Sequence, residues 1–181
     1  MRSGAAPRGE SPLVRFYSGT GTDHRGRHLD EILAWDDGRL EAVHDYIQWL
    51  FPLEEPSGVN PWAPLVTDQD CRTFLRNPML AANLRRAFAR MLAFYGFAFP
   101  AGVNSGRITR SGSWARRAPV WLYPGSHNYL RLTRIIKSVK LLGLPDLGRS
   151  LYDALIHLSR EMDPDAIGDT TLEYWRRAAG A

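Results

Sequence analysis

The run at residues 40–52, which reads LEAVHDYIQWLFP, constrains the fold more than any other stretch of the chain. At about 100° per residue, its apolar side chains fall on one face of a helix, and His44 and Gln48 fall beside them. Pro52 ends this helix because proline donates no backbone hydrogen bond and restricts the residue before it. We therefore predict one central helix with two polar side chains that point toward a core.

The rest of the chain also reads as helices, because its apolar residues recur at spacings of three and four. Thr67 and Asp70 form a capping box that starts one helix, and Gly96 is placed to end another. The other predicted helices lie at residues 28–35, 67–76, 78–95, 126–142, 145–158 and 170–175. The sequence therefore predicts an all-α fold, a single globular domain of about six or seven helices.

Three segments are expected to lack regular structure. Residues 1–12 have little to bury and read as a disordered lead, so the domain is expected to span residues 13–181. A proline-rich loop follows Pro52. Residues 97–126 show no sustained period and contain glycine, arginine and tryptophan. Loops of this length are usually functional or disordered.

Membrane and redox signals are weak in this sequence. No run approaches the roughly 20 apolar residues of a membrane span, and the start of the chain has no apolar signal-peptide core. Cys71 is the only cysteine, which excludes an intrachain disulfide and a cysteine-based metal site. These features are typical of a cytoplasmic protein without a transmembrane segment.

Charge is distributed unevenly along the chain. Residues 71–145 carry thirteen arginine and lysine residues and no acidic residue, whereas the two flanks carry ten basic and nineteen acidic residues. With Trp114 and Trp121 in its long loop, this segment predicts a nucleic-acid partner, in which arginines meet phosphates and tryptophans stack on bases. The alternative is that the basic segment pairs with the acidic flanks of the same chain.

A polar stripe runs along the predicted helix at 126–142. His127, Arg131, Arg134 and Ser138 follow one another at spacings of four, three and four. Aligned guanidinium groups bind carboxylate or phosphate through paired hydrogen bonds. The stripe, together with Asn128, is therefore the favoured site for a peptide or a small anionic ligand. Its alternative role is a bridge to nearby acids, and the available ones are Asp36, Asp37, Glu54 and Glu55.

The polar residues of the central helix are the second candidate site. His44 and Gln48 are placed to contact a ligand, and an imidazole can also transfer a proton. Their alternative role is structural, since most inward polar residues are hydrogen-bonded supports of the core. Tyr46 and Trp49 lie off the apolar face and are expected to pack under the proline-rich loop. Trp49 completes the candidate ligand-binding set.

Catalysis has the least support in the sequence. There is no glycine-rich phosphate loop, no His-Glu-x-x-His pair and no serine nucleophile motif. The five histidines are too scattered to specify a metal site, so we expect neither a metal nor a cofactor. An unassigned hydrolase or transferase that uses His44 with Asp45 or His127 is the enzymatic alternative.

Three blocks of the chain resemble the conserved domain of the opioid growth factor receptor family. The first block is HDYIQWLFPL at residues 44–53, and the second spans residues 84–97 around MLAFYG. The third is HNYLRLTRIIKS at residues 127–138, followed by LGL at residues 142–144. Weaker similarity extends to FY near the start of the chain and LEYW near its end.

The resemblance implies a non-enzymatic binding domain. The animal members of the family resemble receptors for a short enkephalin peptide that associate with the nucleus and restrain proliferation. The family offers no catalytic residues that could be assigned to this chain. The chain stops soon after the helical domain, without the long C-terminal extension and repeats of the animal receptors. We therefore expect a shared pocket for a peptide or small ligand near His44 and Arg131 rather than a role in enkephalin signalling.

Overall fold

Ten helices and one two-stranded sheet make up the regular structure of the residues that the computed structural model describes, which are 9–100, 106–162 and 165–181. The helices are α1 (Pro12–Ser18), α2 (Leu29–Leu33), α3 (Asp37–Ala42), α4 (Ile47–Leu50), α5 (Asp68–Arg76), α6 (Pro78–Tyr95), α7 (Trp114–Trp121), α8 (Asn128–Leu141), α9 (Pro145–Ser159) and α10 (Asp169–Ala179). The antiparallel strands are β1 (Phe97–Ala98) and β2 (Thr109–Arg110). The predicted all-α class is confirmed.

Side-chain caps explain where the middle helices begin and end. Thr67 Oγ1 accepts from the Asp70 N–H at 3.2 Å, and the Asp70 carboxylate accepts from the Thr67 N–H at 2.9 Å. This is the capping box predicted for α5. Asn77 caps the start of α6 through its side-chain oxygen, and Gly96 ends α6 at a φ of 82°. The predicted bounds of these two helices are confirmed.

The core lies between two helical layers that meet at α6 and α8. Helix α6 packs against α1, α5 and α7, and helix α8 packs against α9 and α10. Buried tryptophans fix the helices within each layer through their indole N–H groups. Trp121 donates to the Tyr95 carbonyl at 3.0 Å, and Trp175 donates to the Tyr129 carbonyl at 3.1 Å. These bonds allow both fully buried indole rings to satisfy their single donor.

The prediction of one central helix is wrong, because the chain there forms α3 and α4 with a break between them. Val43 is extended at the end of α3, with φ −93° and ψ 132°. The carbonyls at this end bond to the Arg131 guanidinium of α8 instead of to the next helical turn. The break also lets the buried Tyr46 hydroxyl donate to the Leu40 carbonyl at 3.1 Å.

The prediction of one irregular loop at residues 97–126 is also wrong. The segment contains β1, β2 and the eight-residue helix α7. Pro119 lies inside α7. Because proline normally breaks a helix, its presence argued against predicting a helix here. Trp121 is fully buried. Residues 101–105 of the predicted loop lie outside the described residues.

The remaining differences concern the number of helices and the ends of the chain. Ten helices are present in the described residues instead of six or seven, because the central helix is divided and because α1 and α7 are helical. The predicted cap at Thr170 is wrong, since α10 begins at Asp169 without a side-chain cap and continues to Ala179. Residues 1–8 of the predicted lead lie outside the described residues. Within the described ranges, no helix has the length and apolar character needed to cross a membrane.

Candidate functional site

A groove of about 340 Å³ lies between α8 and the chain that runs from the break after α3 to the proline-rich loop. Five of the seven predicted site residues line it, and they are His44, Gln48, His127, Arg131 and Arg134. The rest of its lining is largely apolar and includes Ile47, Leu53, Val59 and Leu130. We call this cavity the His44 groove.

Arg131 forms the base of the groove and holds its two walls together. Its side chain is buried, and Nη1 donates to the Leu40 carbonyl at 3.1 Å while Nη2 donates to the Val43 carbonyl at 2.9 Å. Nη1 also lies 3.7 Å from a Glu41 carboxylate oxygen. The guanidinium is therefore largely occupied by the chain itself, in a buried setting where an unpaired carbonyl would be costly.

Arg134 and Ser138, one and two turns after Arg131 on α8, also donate to backbone carbonyls of the opposite wall. Arg134 Nη1 donates to the Phe51 carbonyl at 3.1 Å, and Ser138 Oγ donates to the Pro52 carbonyl at 2.8 Å. Burial lowers the pKa of Arg134, although the nearby Glu55 raises it. The predicted stripe is thus one aligned surface, and its main partners are backbone carbonyls rather than the four acids of the alternative role. The physical reason is that both short helices end facing α8 and leave carbonyls to be satisfied.

His44 and His127 face each other across the mouth of the groove. Their rings lie 5.1 Å apart at an angle of 71°. His44 Nδ1 lies 3.1 Å from Arg131 Nη2, and it accepts this bond because a guanidinium only donates. A neutral His44 therefore carries its proton on Nε2. The prediction that His44 points into the core is wrong, since this side chain is exposed at the end of α3.

His127 is the histidine of the groove whose pKa is shifted. Burial and the charge of Arg131 lower its pKa, and the opposing influence of Glu41 is smaller. Its Nε2 atom is buried without a hydrogen bond, although a Glu41 carboxylate oxygen lies 3.4 Å away. The imidazole is therefore held mainly uncharged near neutral pH.

Gln48 presents a buried acceptor with no partner. Its side chain is 4 % exposed and lines the groove from α4. Oε1 is one of three buried side-chain atoms without a hydrogen bond in the described part of the chain. The other two are an Arg117 nitrogen and His127 Nε2. Since buried polar atoms are normally paired, two unpaired atoms on residues that line one groove make this groove the candidate site.

The two other predicted site residues lie outside the groove. Asn128 is fully buried and its Nδ2 donates to both oxygens of Glu41, at 3.1 and 3.2 Å. Glu41 was missed by the sequence reasoning, and its only signal was its place one turn before His44. Trp49 packs edge-on against Phe16 and donates its indole N–H to His24 Nδ1 at 3.1 Å.

The Trp49 side of α4 forms a separate polar cluster. His24 Nε2 lies 3.4 Å from the Asp45 carboxylate, and Arg27 Nη2 donates to the same carboxylate at 2.9 Å. Burial raises the pKa of Asp45, but the hydrogen bond and charge of Arg27 outweigh it and leave the pKa below its usual value. Tyr46 packs against Trp35 in the core, so its expected place under the proline-rich loop is wrong.

The basic segment at residues 71–145 bonds extensively to the acidic flanks. All thirteen of its basic residues lie in described parts of the chain, and six form ion pairs with flanking acids. These pairs are Arg86–Asp30, Arg90–Asp37, Arg117–Asp37, Arg110–Glu161, Arg131–Glu41 and Lys137–Glu55. The intramolecular alternative therefore accounts for almost half of the segment's positive charge.

Metal binding has no structural support in the described residues, which contain no group of three or more histidine, cysteine, aspartate or glutamate side chains placed to hold an ion. His44 and His127 do meet, although the sequence treated the histidines as scattered. Their nearest carboxylate, Glu41, is bonded to Asn128.

Comparison with known proteins identifies the domain that carries this groove. The family described as "Opioid growth factor receptor (OGFr) conserved region" matches residues 8–178. The chain belongs to the opioid growth factor receptor family. This match includes all three sequence blocks, and two of them, at residues 44–53 and 127–138, form the walls of the His44 groove.

Relatives within the opioid growth factor receptor family are substantially longer than this chain. The chain is 34% identical to mouse opioid growth factor receptor-like protein 1 over 155 residues, which cover 83% of this chain and 32% of the relative. It is 38% identical to human opioid growth factor receptor over 143 residues, which cover 75% and 20%. It therefore spans between a fifth and a third of the length of these relatives. No solved structure matches the chain at a significant level.

Proposed function

We propose that the domain is a non-enzymatic binding module whose His44 groove takes a short peptide segment. The observation that carries this proposal is Gln48, which lines an otherwise largely apolar groove and has a buried Oε1 acceptor without a partner. A peptide supplies backbone N–H groups for such an acceptor and side chains for the apolar lining. The names of the relatives, receptors of an opioid growth factor, support a peptide as the ligand class.

A peptide fits the groove better than a small anion does. The Arg131 guanidinium is occupied by backbone carbonyls, and Arg134 already donates to Phe51. A small phosphate would have to compete with those bonds, whereas an apolar side chain would bury the exposed Leu130 and Val59. Burying apolar surface is worth about 25 cal/mol for each Å². The groove volume of about 340 Å³ is at the lower end of common ligand sites.

A direct test is titration of the domain with a short enkephalin peptide, followed by nuclear magnetic resonance shifts of the backbone amides. We expect the shifts to concentrate on α4 and on the first turns of α8. Gln48→Met keeps the side-chain volume and removes the acceptor, so we expect about a tenfold weaker affinity, which corresponds to one lost hydrogen bond. Gln69→Met, on the exposed surface of α5, is the matched control.

A second change tests the apolar side of the groove. Leu130 is 63% exposed at the groove, and Leu130→Glu places a charge where the peptide side chain is expected. The matched control is Leu75→Glu, because Leu75 is 68% exposed on α5. Equal affinities for the wild type, Gln48→Met and Leu130→Glu would refute the proposal.

Nucleic-acid binding is the second candidate and has less support. Six basic residues of the segment 71–145 are paired with acids, as described above. Trp121 is fully buried and Trp114 packs against it at 6.2 Å, so these rings are not presented for stacking on bases. A gel-shift titration with mixed RNA at low ionic strength tests this candidate, and salt-sensitive retention at micromolar protein would favour it.

A further inference from the structure

A second groove adjoins the first on the other side of α8. It has a volume of about 370 Å³ and lies between α8 and α10. Its floor includes Leu141 and Ala178, and the exposed Tyr174 ring stands at its edge. Thr133 and Lys137 line both this groove and the His44 groove. The two cavities therefore form one surface that crosses α8.

The rim of this α8–α10 groove is cationic. Lys137, Lys140 and Arg177 surround it, and its lining includes no acidic side chain among the residues that the structure describes. Lys140 Nζ is exposed, and its described contact is the Ala179 carbonyl at 3.4 Å. Arg177 is 69% exposed and pairs with Glu173 on its own helix. Exposed pairs of this kind contribute little and exchange readily with other carboxylates.

Lys137 is paired with an acid of the proline-rich loop, the segment whose Leu53, Ser57 and Val59 line the His44 groove. Its Nζ donates to Glu55 Oε1 at 2.5 Å, and Glu55 lies in the proline-rich loop with 59% of its side chain exposed. The hydrogen bond from Lys137 lowers the pKa of Glu55. The carboxylate of Glu55 thus occupies the position that an incoming acidic side chain would take between the two grooves.

We propose that a peptide seated in the His44 groove continues across α8 into the α8–α10 groove with an acidic segment that contacts Lys137, Lys140 and Arg177. This inference rests on the proposed function and adds the chemistry of the partner. The occupant follows from charge complementarity, since three cations line the rim over an apolar floor and two of them are paired only with exposed acids, Glu55 and Glu173. A helix is about 10 Å across and an extended residue spans about 3.3 Å, so about three residues link the two halves.

The intramolecular Glu55 is a competitor of this acidic segment. Binding must displace it from Lys137, so its removal is expected to strengthen binding. A purely structural role for the Lys137–Glu55 pair predicts the opposite or no effect. The sign of this change therefore separates the two roles.

The test uses three fluorescent peptides in anisotropy titrations with the full chain. The first peptide is the apolar half alone, meaning the segment that is expected to occupy the His44 groove. The second adds a tail of four glutamates to it, and the third adds a tail of four glutamines. We expect the glutamate tail to tighten binding about tenfold over the glutamine tail, and this gain to shrink as ionic strength rises. Lys140→Gln with Arg177→Gln should abolish the gain and leave the affinity for the apolar half unchanged.

Matched variants complete the test. Arg149→Gln removes another arginine that is more than half exposed and pairs with an acid on its own helix, and it should not change any affinity. Glu55→Gln should tighten binding of the glutamate-tailed peptide about threefold, whereas Asp30→Asn, another exposed acid in an ion pair, should have no effect.

The possible results separate this inference from the proposed function. Equal binding of the glutamate and glutamine tails overturns the inference alone, and so does weaker binding to Glu55→Gln. Failure of all three peptides to bind overturns the His44 groove as a peptide site and this extension with it. An RNA oligomer that binds the rim more tightly than the glutamate tail, or self-association that Lys140→Gln abolishes, assigns the surface to another occupant and also overturns it.

Discussion

Arg131 shows how one side chain can donate to backbone carbonyls that the end of a helix leaves without partners. Its guanidinium bonds to the end of α3 from a position about 90 residues later in the chain. The Arg131 side chain is only 5% exposed, so water has little access to the guanidinium. Arg131 is therefore first a structural residue, and its role at the His44 groove is to position His44.

Replacing Arg131 should be strongly destabilising. Arg131→Met leaves the Val43 carbonyl without its donor, the Leu40 carbonyl with Tyr46 alone and Glu41 without its cation, and we expect the free energy of unfolding to fall by about 3 kcal/mol. Urea denaturation followed by circular dichroism measures this loss. Arg85→Met, at an exposed position of α6, should change stability by less than about 0.5 kcal/mol. Equal midpoints for the two variants would contradict this account.

His127 should make stability depend on pH. Its pKa in the folded protein is below the value of 6.5 that applies to an unperturbed histidine, so the unfolded chain binds the proton more readily. Stability is therefore complete above about pH 6.5 and falls as the pH drops toward the folded pKa. His127→Gln should flatten this part of the stability curve.

At the scale of elements, the junction between α6 and α7 depends on a close approach of two backbones. Gly96 has a φ of 82°, and a Cβ atom there would lie 3.0 Å from Trp114 Cα and from Arg117 Cβ. Both the left-handed backbone and the contact favour glycine. This junction places Trp121 against Tyr95 and so anchors the segment that the sequence suggested was an irregular loop.

Gly96→Ala should cost more than an alanine at a glycine that only needs a positive φ. We expect a loss of about 3 kcal/mol, from backbone strain of about 1 kcal/mol and from the steric contact. Gly125→Ala is the matched control, because Gly125 has a φ of 77° and no atom within 4 Å of the added Cβ. Thermal unfolding of both variants measures the difference. A Gly125→Ala loss as large as that of Gly96→Ala would show that sterics contribute nothing.

The elements also show what the sequence could and could not predict. Helices α5 and α6 were predicted with their bounds because Thr67, Asn77 and Gly96 act locally. The break after α3 was not predictable from local pattern, since it depends on Arg131 from a distant helix. The polar stripe of α8 was predicted as an aligned surface, but its partners are carbonyls, which have no signature in side-chain sequence. Glu41 is a side chain, but its partner Asn128 lies 87 residues away, and its only local signal was its place one turn before His44.

At the scale of the whole molecule, the uneven charge of the chain becomes a set of contacts between its middle and its ends. Asp37 shows this most clearly, because it pairs with Arg90 at 2.8 Å and with Arg117 at 3.4 Å. Arg117 is buried, and its Nε also donates to the Phe94 carbonyl. Folding therefore brings acids of the first forty residues onto the basic face of α6 and α7.

Removing the charge of Asp37 should test this arrangement. Asp37→Asn leaves two arginines without their acid, one of them buried, and we expect a loss of about 2 kcal/mol in the free energy of unfolding. Asp30→Asn breaks one exposed pair with Arg86 and should cost less than about 1 kcal/mol. Guanidinium chloride would screen these pairs, so urea is the denaturant to use. A larger loss for Asp30→Asn would refute the stated order.

The bond between Arg131 and the α3 end has a consequence for biosynthesis. The two partners are about 90 residues apart, and ribosomes add about 5 to 20 residues each second. The carbonyls at the α3 end are therefore synthesised roughly 5 to 20 seconds before Arg131, and water bonds to them during this interval. The first wall of the His44 groove is made early in translation, but the groove itself exists only after α8 has left the ribosome.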